Sequence, residues 1–258
     1  MKHRYAVFTA GLLAAAAIFA AAEGPAFVTA SASERQLPSY CVDCDQKVCS
    51  ITFDAAWGDA STKDLVDILD KYNVKATFFV IGKWAEQYPD DVKMLADNGM
   101  EVMSHSYAHD HMTQLSSDAI KADINKCSDA IEKITGTRPT LFRCPYGDYD
   151  DHVVTAVRSL GMEPVQWDVD SLDWKGISAE KIEDRVESKV KNGSIILFHN
   201  AGENTPQALP SVIEYLLSNG YEIVPVSDLL LSGEYGVDWN IDVTGKQCAI
   251  GQKSQSSN

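Results

Sequence analysis

The chain has 258 residues, 45% of them hydrophobic and 23% charged, which is enough apolar material for a full core and excludes a largely disordered protein. Its 22 basic against 37 acidic side chains give a formal charge of −15. That balance argues against a nucleic-acid partner, because phosphate backbones are held by clustered Lys and Arg.

Residues 1–32 read as a secretory signal: Lys2, His3 and Arg4 open the chain, and Tyr5 to Ala22 follow without a charge. Thr29-Ala30-Ser31-Ala32 offers a small-residue cleavage site after Ala32, with Ala20 to Ala22 competing. The apolar run, about 18 residues, is at the short edge of a bilayer span, so a membrane tether through residues 5–22 stands as the alternative. Either way the protein is expected outside the cytoplasm, secreted or anchored. Residues 33–46 form a Cys-containing segment. Cys41 and Cys44 lie there and cluster with Cys49 just beyond it, whereas Cys127, Cys144 and Cys248 lie far off. With only Cys248 as an obvious fourth ligand, a disulfide or free thiols fit better than a zinc knuckle.

Between residues 50 and 226, within a domain drawn at 47–233, short β-branched or aromatic runs alternate with helical periods, the pattern of parallel strands joined by crossover helices. Seven strands are predicted, at 50–54, 76–80, 100–104, 140–144, 164–168, 194–198 and 221–224. Leu65, Ile68, Leu69 and Tyr72 keep helical spacing after a Thr62 cap, and Ile120 to Ile134 keep it until Gly136. Gly99, Gly161 and Gly220 each follow a helical pattern, where a left-handed residue ends a helix. The fold class is therefore α/β, a barrel of about seven parallel strands. Residues 234–258 lose the apolar period and read as a polar, mobile tail.

Residues capable of chemistry gather just past the strand ends: Asp54, His105, Arg143, Asp168 with Asp170, and His199. In a parallel barrel all these ends open on the face that carries active sites. His105 and His109 stand four apart, which on a helical turn would let both bind one metal, with His111 as a nearby competitor. Each residue also has a plainer explanation: a turn cap for Asp54, a surface ion pair for Arg143, a core imidazole for His199, an acidic loop for 170–174. Their ordered arrival at successive strand ends is what those explanations leave unaccounted for.

Five segments, Thr52-Phe53-Asp54, His105-Ser106-Tyr107-Ala108-His109, Arg143-Cys144-Pro145-Tyr146-Gly147, Asp170-Ser171-Leu172-Asp173-Trp174 and Leu197-Phe198-His199, resemble the ordered motifs of the polysaccharide deacetylases, the NodB-homology group of carbohydrate esterase family four. The resemblance covers roughly residues 47–226 and implies a distorted (β/α) barrel of the NodB type. It implies metal-dependent removal of N-acetyl groups from an amino-sugar polymer, with a divalent metal, usually zinc, held by His105 and His109. Asp54 would be the general base, with Arg143 keeping it ionised. His199 would be the general acid, with Asp170 orienting it and raising its pKa. The Tyr146 backbone N–H would stabilise the oxyanion, and Leu197 and Trp174 would wall the acetyl methyl.

The first motif departs from the family pattern. A second aspartate, the family's further metal ligand, is here Ala55, leaving two His where three protein ligands are usual for a catalytic zinc. Phe53-Asp54-Ala55-Ala56-Trp57-Gly58 is nonetheless similar to the form found in a bacterial subgroup. An N-acetylated glycan, peptidoglycan first, is the expected partner, and a monomer the expected state. The alternative is a non-catalytic glycan-binding envelope protein that has lost productive metal binding.

Overall fold

The computed structural model describes residues 35–251; the signal or tether assigned to residues 1–32 and the last seven residues lie outside the described residues. Strand β1 (Cys41–Val42) is followed by β2 (Val48–Ala55), α1 (Thr62–Lys71), β3 (Thr77–Val80), α2 (Gly82–Gln87), α3 (Pro89–Asp97) and β4 (Glu101–Ser104). Then come α4 (Ser117–Thr135), β5 (Leu141–Phe142), α5 (Asp151–Arg158), β6 (Glu163–Pro164), β7 (Val169–Asp170), α6 (Ala179–Glu187) and β8 (Ser194–His199). The described chain ends with α7 (Thr205–Ser218), β9 (Glu222–Ile223), α8 (Val226–Leu229), β10 (Trp239–Ile241) and β11 (Lys246–Ala249). All seven predicted strands are present, several of them shorter than the sequence pattern drew them. The predicted helix ends hold as well: Gly99, Gly136, Gly161 and Gly220 all take positive φ, between 71° and 81°.

The sheet runs β8-β2-β3-β4-β5-β6 with every neighbour parallel, and β7 and β9 pair in parallel with β8 and β2. It curls into the distorted, NodB-like (β/α) half-barrel with the helices outside. Two chain segments change the boundaries expected from sequence. Ser39 forms a parallel bridge with Val165, and Cys41 pairs with Ser194, so the Cys-containing N-terminal segment runs from β6 to β8 as part of the sheet. Residues 234–251 are not a plain polar tail: β10 and β11 pair antiparallel, and β11 adds to β1. Trp239 is buried there and Gln247 Oε1 accepts from Leu231 N–H; three- and four-residue strands carry too little period to be read as strands. All six cysteines are free thiols.

The central strand explains how the core positions the site. Side chains alternate along β2, so Ile51, Phe53 and Ala55 pack beneath the helices while Thr52 and Asp54 face inward. Phe53 is paired with Phe78 on one neighbour and Phe198 on the other, its ring stacked on theirs at 4.7 and 5.7 Å. Each fully buried Phe contributes roughly 1.5–3 kcal/mol, and the trio fixes the register that sets Asp54 beside His199.

Candidate active site

The predicted strand-end residues converge. Asp54, His105, His109, Tyr146, Asp170, Trp174, Leu197 and His199, together with Trp57 and Trp167, line one cavity of about 440 Å³ at the carboxyl ends of the strands. Arg143 lies directly beneath it, wholly buried. Asp168 is elsewhere: its carboxylate accepts from Ser194 Oγ and Ile195 N–H, tying the start of β7 to β8.

Inward-facing Asp54 and Thr52 both accept from the Arg143 guanidinium, each at 2.9 Å. The other arm of that guanidinium donates to the Gln166 carbonyl at 3.0 Å, and its plane lies 4.0 Å from the Phe79 ring centroid. Burial alone would raise the Asp54 pKa. The charges of His105, Arg143 and His199, in that order, and the Arg143 hydrogen bond outweigh burial and hold the carboxyl below its ordinary value. Asp54 is thus a buried carboxylate kept ionised.

His105 Nδ1 lies 2.8 Å from the Arg143 carbonyl oxygen. A carbonyl only accepts, so Nδ1 carries the proton and Nε2 has the lone pair when the ring is neutral. Burial lowers the His105 pKa and favours that neutral form. Its Nε2 stands 3.5 Å from Asp54 Oδ2. His109 follows with ring centroids 5.0 Å apart, and burial and the neighbouring His105 push its pKa down to about 4.

The helical turn expected over 105–109 is absent. The segment is a loop in which Ser106 and His109 both take positive φ, and Ser106 Oγ accepts from His109 N–H while Asp123 of α4 accepts from Tyr107 N–H. These local bonds hold a left-handed backbone that is costly for residues with a Cβ. They bring the imidazoles together by a different route from helical spacing.

The residues fit a divalent cation through two donors: both imidazoles are neutral at neutral pH, and His109 Nδ1 is buried with no hydrogen-bond partner. Among the described residues no group of three or more His, Cys, Asp or Glu side chains is arranged to hold a metal. Ala55, next to Asp54, turns its methyl into the core.

The opposite wall corrects one assignment. His199 Nδ1 pairs with Asp173 Oδ1 at 2.8 Å, not with Asp170. Asp173 is buried, and its carboxylate also accepts from the N–H groups of His199 and Trp174 and from Thr205 Oγ. Asp170 instead accepts from Leu172 N–H. Leu172 takes φ +57°, and this left-handed turn sends Asp173 under the imidazole; nothing about a leucine announces such a turn. Burial opposes the His199 charge, but the Asp173 hydrogen bond and the carboxylates of Asp54, Asp173 and Asp170 outweigh it and raise its pKa. Asp170 therefore still contributes to that shift, through its charge.

Tyr146, at φ +61°, sets its ring against His109 and stacks on His111. His111 is held outside the pocket by Asp148. Leu197 is buried in the pocket wall, whereas Trp174 is exposed at the rim.

A parallel half-barrel whose strand ends bring together a paired carboxylate, two imidazoles with lowered pKa values and a carboxylate-bound imidazole is the architecture that the resemblance to the polysaccharide deacetylases implies. The family model for polysaccharide deacetylases matches residues 42–165. The peptidoglycan-N-acetylmuramic acid deacetylase PdaC of Bacillus subtilis is 39% identical over 188 residues, 73% of this chain and 40% of that protein. A peptidoglycan-N-acetylglucosamine deacetylase of Bacillus cereus is 31% identical over 70% of this chain and 67% of its own length. Among solved structures, a carbohydrate esterase family four pseudoenzyme of Bacillus anthracis, BA3943, superposes with a TM-score of 0.72 at 34% identity, covering 74% of this chain and 67% of that one; a mutant of it with restored enzymatic activity is equally similar in fold. The chain belongs to the polysaccharide deacetylase family. Its match spans well under half the length of PdaC.

Proposed function

We propose that this protein is a metal-dependent N-deacetylase of amino-sugar polymers, with peptidoglycan as the substrate class, acting outside the cytoplasm. The observation that carries the reading is the opposition of two differently tuned groups across one cavity: Asp54 ion-paired with Arg143, and His199 paired with Asp173, which raises its pKa. Two titratable groups pushed in opposite directions are the signature of an acid–base pair.

His105 and His109 would hold the divalent metal, zinc being the usual choice for imidazole donors. When bound, that metal would polarise the acetyl oxygen and lower the pKa of a coordinated water. With only two protein donors, metal binding is expected to be weak and easily reversed by chelators.

Asp54 Oδ2 takes a proton from the attacking water as its oxygen bonds to the acetyl carbon. His199, whose Nδ1 faces Asp173, gives the Nε2 proton to the sugar nitrogen as the C–N bond breaks. The products are a free amine and acetic acid, which ionises to acetate, and the proton left on Asp54 passes through solvent to reprotonate His199, which restores the starting pair. Arg143 is a positioning residue for Asp54, as Asp173 and Thr205 are for His199. The Tyr146 N–H is assigned to the oxyanion, and Leu197 and Trp174 to the acetyl methyl.

The test is acetate release from N-acetylglucosamine oligomers and from peptidoglycan, with zinc, cobalt or chelator added. Metal-dependent release is expected. Silence on every substrate by folded, metal-loaded protein would overturn the reading. It would favour the second one, a glycan-binding protein without turnover, for which Ala55 and the fold similarity to the pseudoenzyme speak.

A further inference from the structure

One aromatic side chain at the mouth of the cavity has no part in the proposed proton transfers. Trp57 lines the pocket, yet its side chain is 57% exposed, as are Trp174 at 57% and Tyr146 at 59%. A large indole on a surface costs hydrophobic free energy unless something covers it.

The loop that presents Trp57 is fixed from behind. Gly58 turns it with φ +58°. The Gly58 carbonyl accepts from the buried Trp84 indole N–H at 2.6 Å and from Asn200 Nδ2 at 2.9 Å. Asn200, immediately after β8, also donates its backbone N–H to the Asp54 carbonyl. The ring rests edge-on against His109 at 4.8 Å between centroids, while Tyr146 contacts the same imidazole at 4.4 Å. Trp57 is therefore a preorganised platform beside the His pair, with its position set by buried hydrogen bonds rather than by a ligand.

We propose that Trp57 is a binding and specificity-determining residue, whose indole covers the apolar C–H face of a pyranose ring of the glycan and so seats the chain with an acetamido group in the cavity. The inference rests on the glycan reading above. A pyranose offers C–H bonds to the negative face of an aromatic ring and hydroxyls around its edge, and this chemistry fits a rim of exposed indole and phenol rings. The residue adds affinity before the chemistry; it moves no proton.

The experiment uses the full chain and N-acetylglucosamine tetramer as probe, with affinity read by calorimetry and circular dichroism as the folding control. Trp57→Ala is expected to weaken binding about tenfold, equivalent to about 1.4 kcal/mol, and Trp57→Phe, which restores a ring, to recover most of it. If turnover is present, KM for the tetramer should rise more than kcat falls. Equal affinity of Trp57→Ala and the unaltered protein, or equal loss in the Ala and Phe variants, would overturn the proposal. So would an unaltered protein that binds no tetramer. Acetate release is scored separately on the tetramer and on peptidoglycan: tetramer binding through Trp57 with no release from either by metal-loaded protein would sink the deacetylase reading while sustaining this one.

Discussion

The two walls of the cavity hold imidazoles whose pKa values are shifted in opposite directions, and the group behind each ring is a main difference between them. His105 sets Nδ1 against the Arg143 backbone carbonyl, whereas His199 sets Nδ1 against the Asp173 carboxylate. Burial lowers the pKa of the first. On the second wall the carboxylates overcome burial and raise it. A carbonyl fixes the tautomer and favours the cation too weakly to offset burial; a carboxylate fixes it and favours the cation strongly enough to prevail. One ring is thereby a lone-pair donor and the other a proton donor, within a single pocket.

The strongest way to break this contrast is to remove its reacting groups. His199→Ala and Asp54→Asn should each lower acetate release by about 10²- to 10⁴-fold while unfolding as cooperatively as the parent. Undiminished turnover in either variant would refute the assigned roles. Arg143→Leu attacks the scaffold beneath one wall. It leaves the Asp54 carboxylate buried without its guanidinium, and loss of one partner from a buried pair costs about 3–5 kcal/mol. Urea unfolding should show a correspondingly lower midpoint, and an unchanged midpoint would mean that the pair does not act as described.

Asp173→Asn converts the His199 wall toward the His105 kind. With the carboxylate gone, the His199 pKa should fall. His199 must be protonated to act, so activity fades as pH rises through its pKa, and the alkaline limb of the pH–rate profile should move to lower pH. The deficit should accordingly be greater at pH 8 than at pH 6, and a deficit independent of pH would assign Asp173 a purely structural part. Asp170→Asn removes a smaller charge contribution and no hydrogen bond to His199, and should shift the same limb less. On the other wall, His105→Ala should lower zinc content in equilibrium dialysis; equal zinc in variant and parent would place the metal elsewhere.

Much of this was legible in the sequence because strand ends are. Asp54, His105, Arg143 and His199 each end an apolar run, and parallel topology brings such ends together regardless of their spacing. What was not legible lies in the loops beyond those ends. Ser106, His109, Tyr146 and Leu172 account for four of the five described non-glycine residues with positive φ, and all four lie in the motifs. Local rules assign that conformation to Gly or Asn, so the spacing of His105 and His109 suggests a helical turn that the loop does not take, and the resemblance, which implies Asp170 behind His199, carries no sign of the turn that puts Asp173 there. The motif named both carboxylates; only the backbone turn at Leu172 selects between them. Trp57 was missed as a site residue for a similar reason. Its exposure, visible only in the fold, is what marks it. The closing segment around Ser39 and the pair β10–β11 were missed because a bridge or a three-residue strand has no period to detect.

The smallest effect tests the finest part of the comparison. Thr205 Oγ donates to Asp173 Oδ2 at 2.7 Å from a buried position, spreading the Asp173 charge over a hydrogen bond that does not reach His199. Thr205→Val removes that donor at nearly constant shape, at a cost of about 0.5–1.5 kcal/mol in stability. The carboxylate then accepts one hydrogen bond fewer, and its remaining hold on the His199 N–H tightens. The His199 pKa should therefore rise slightly in Thr205→Val, opposite in sign to its fall in Asp173→Asn, as followed by NMR titration of the ring. A fall in both variants would mean that Thr205 serves to place Asp173 rather than to temper its charge, and would make geometry the origin of the difference between the two walls.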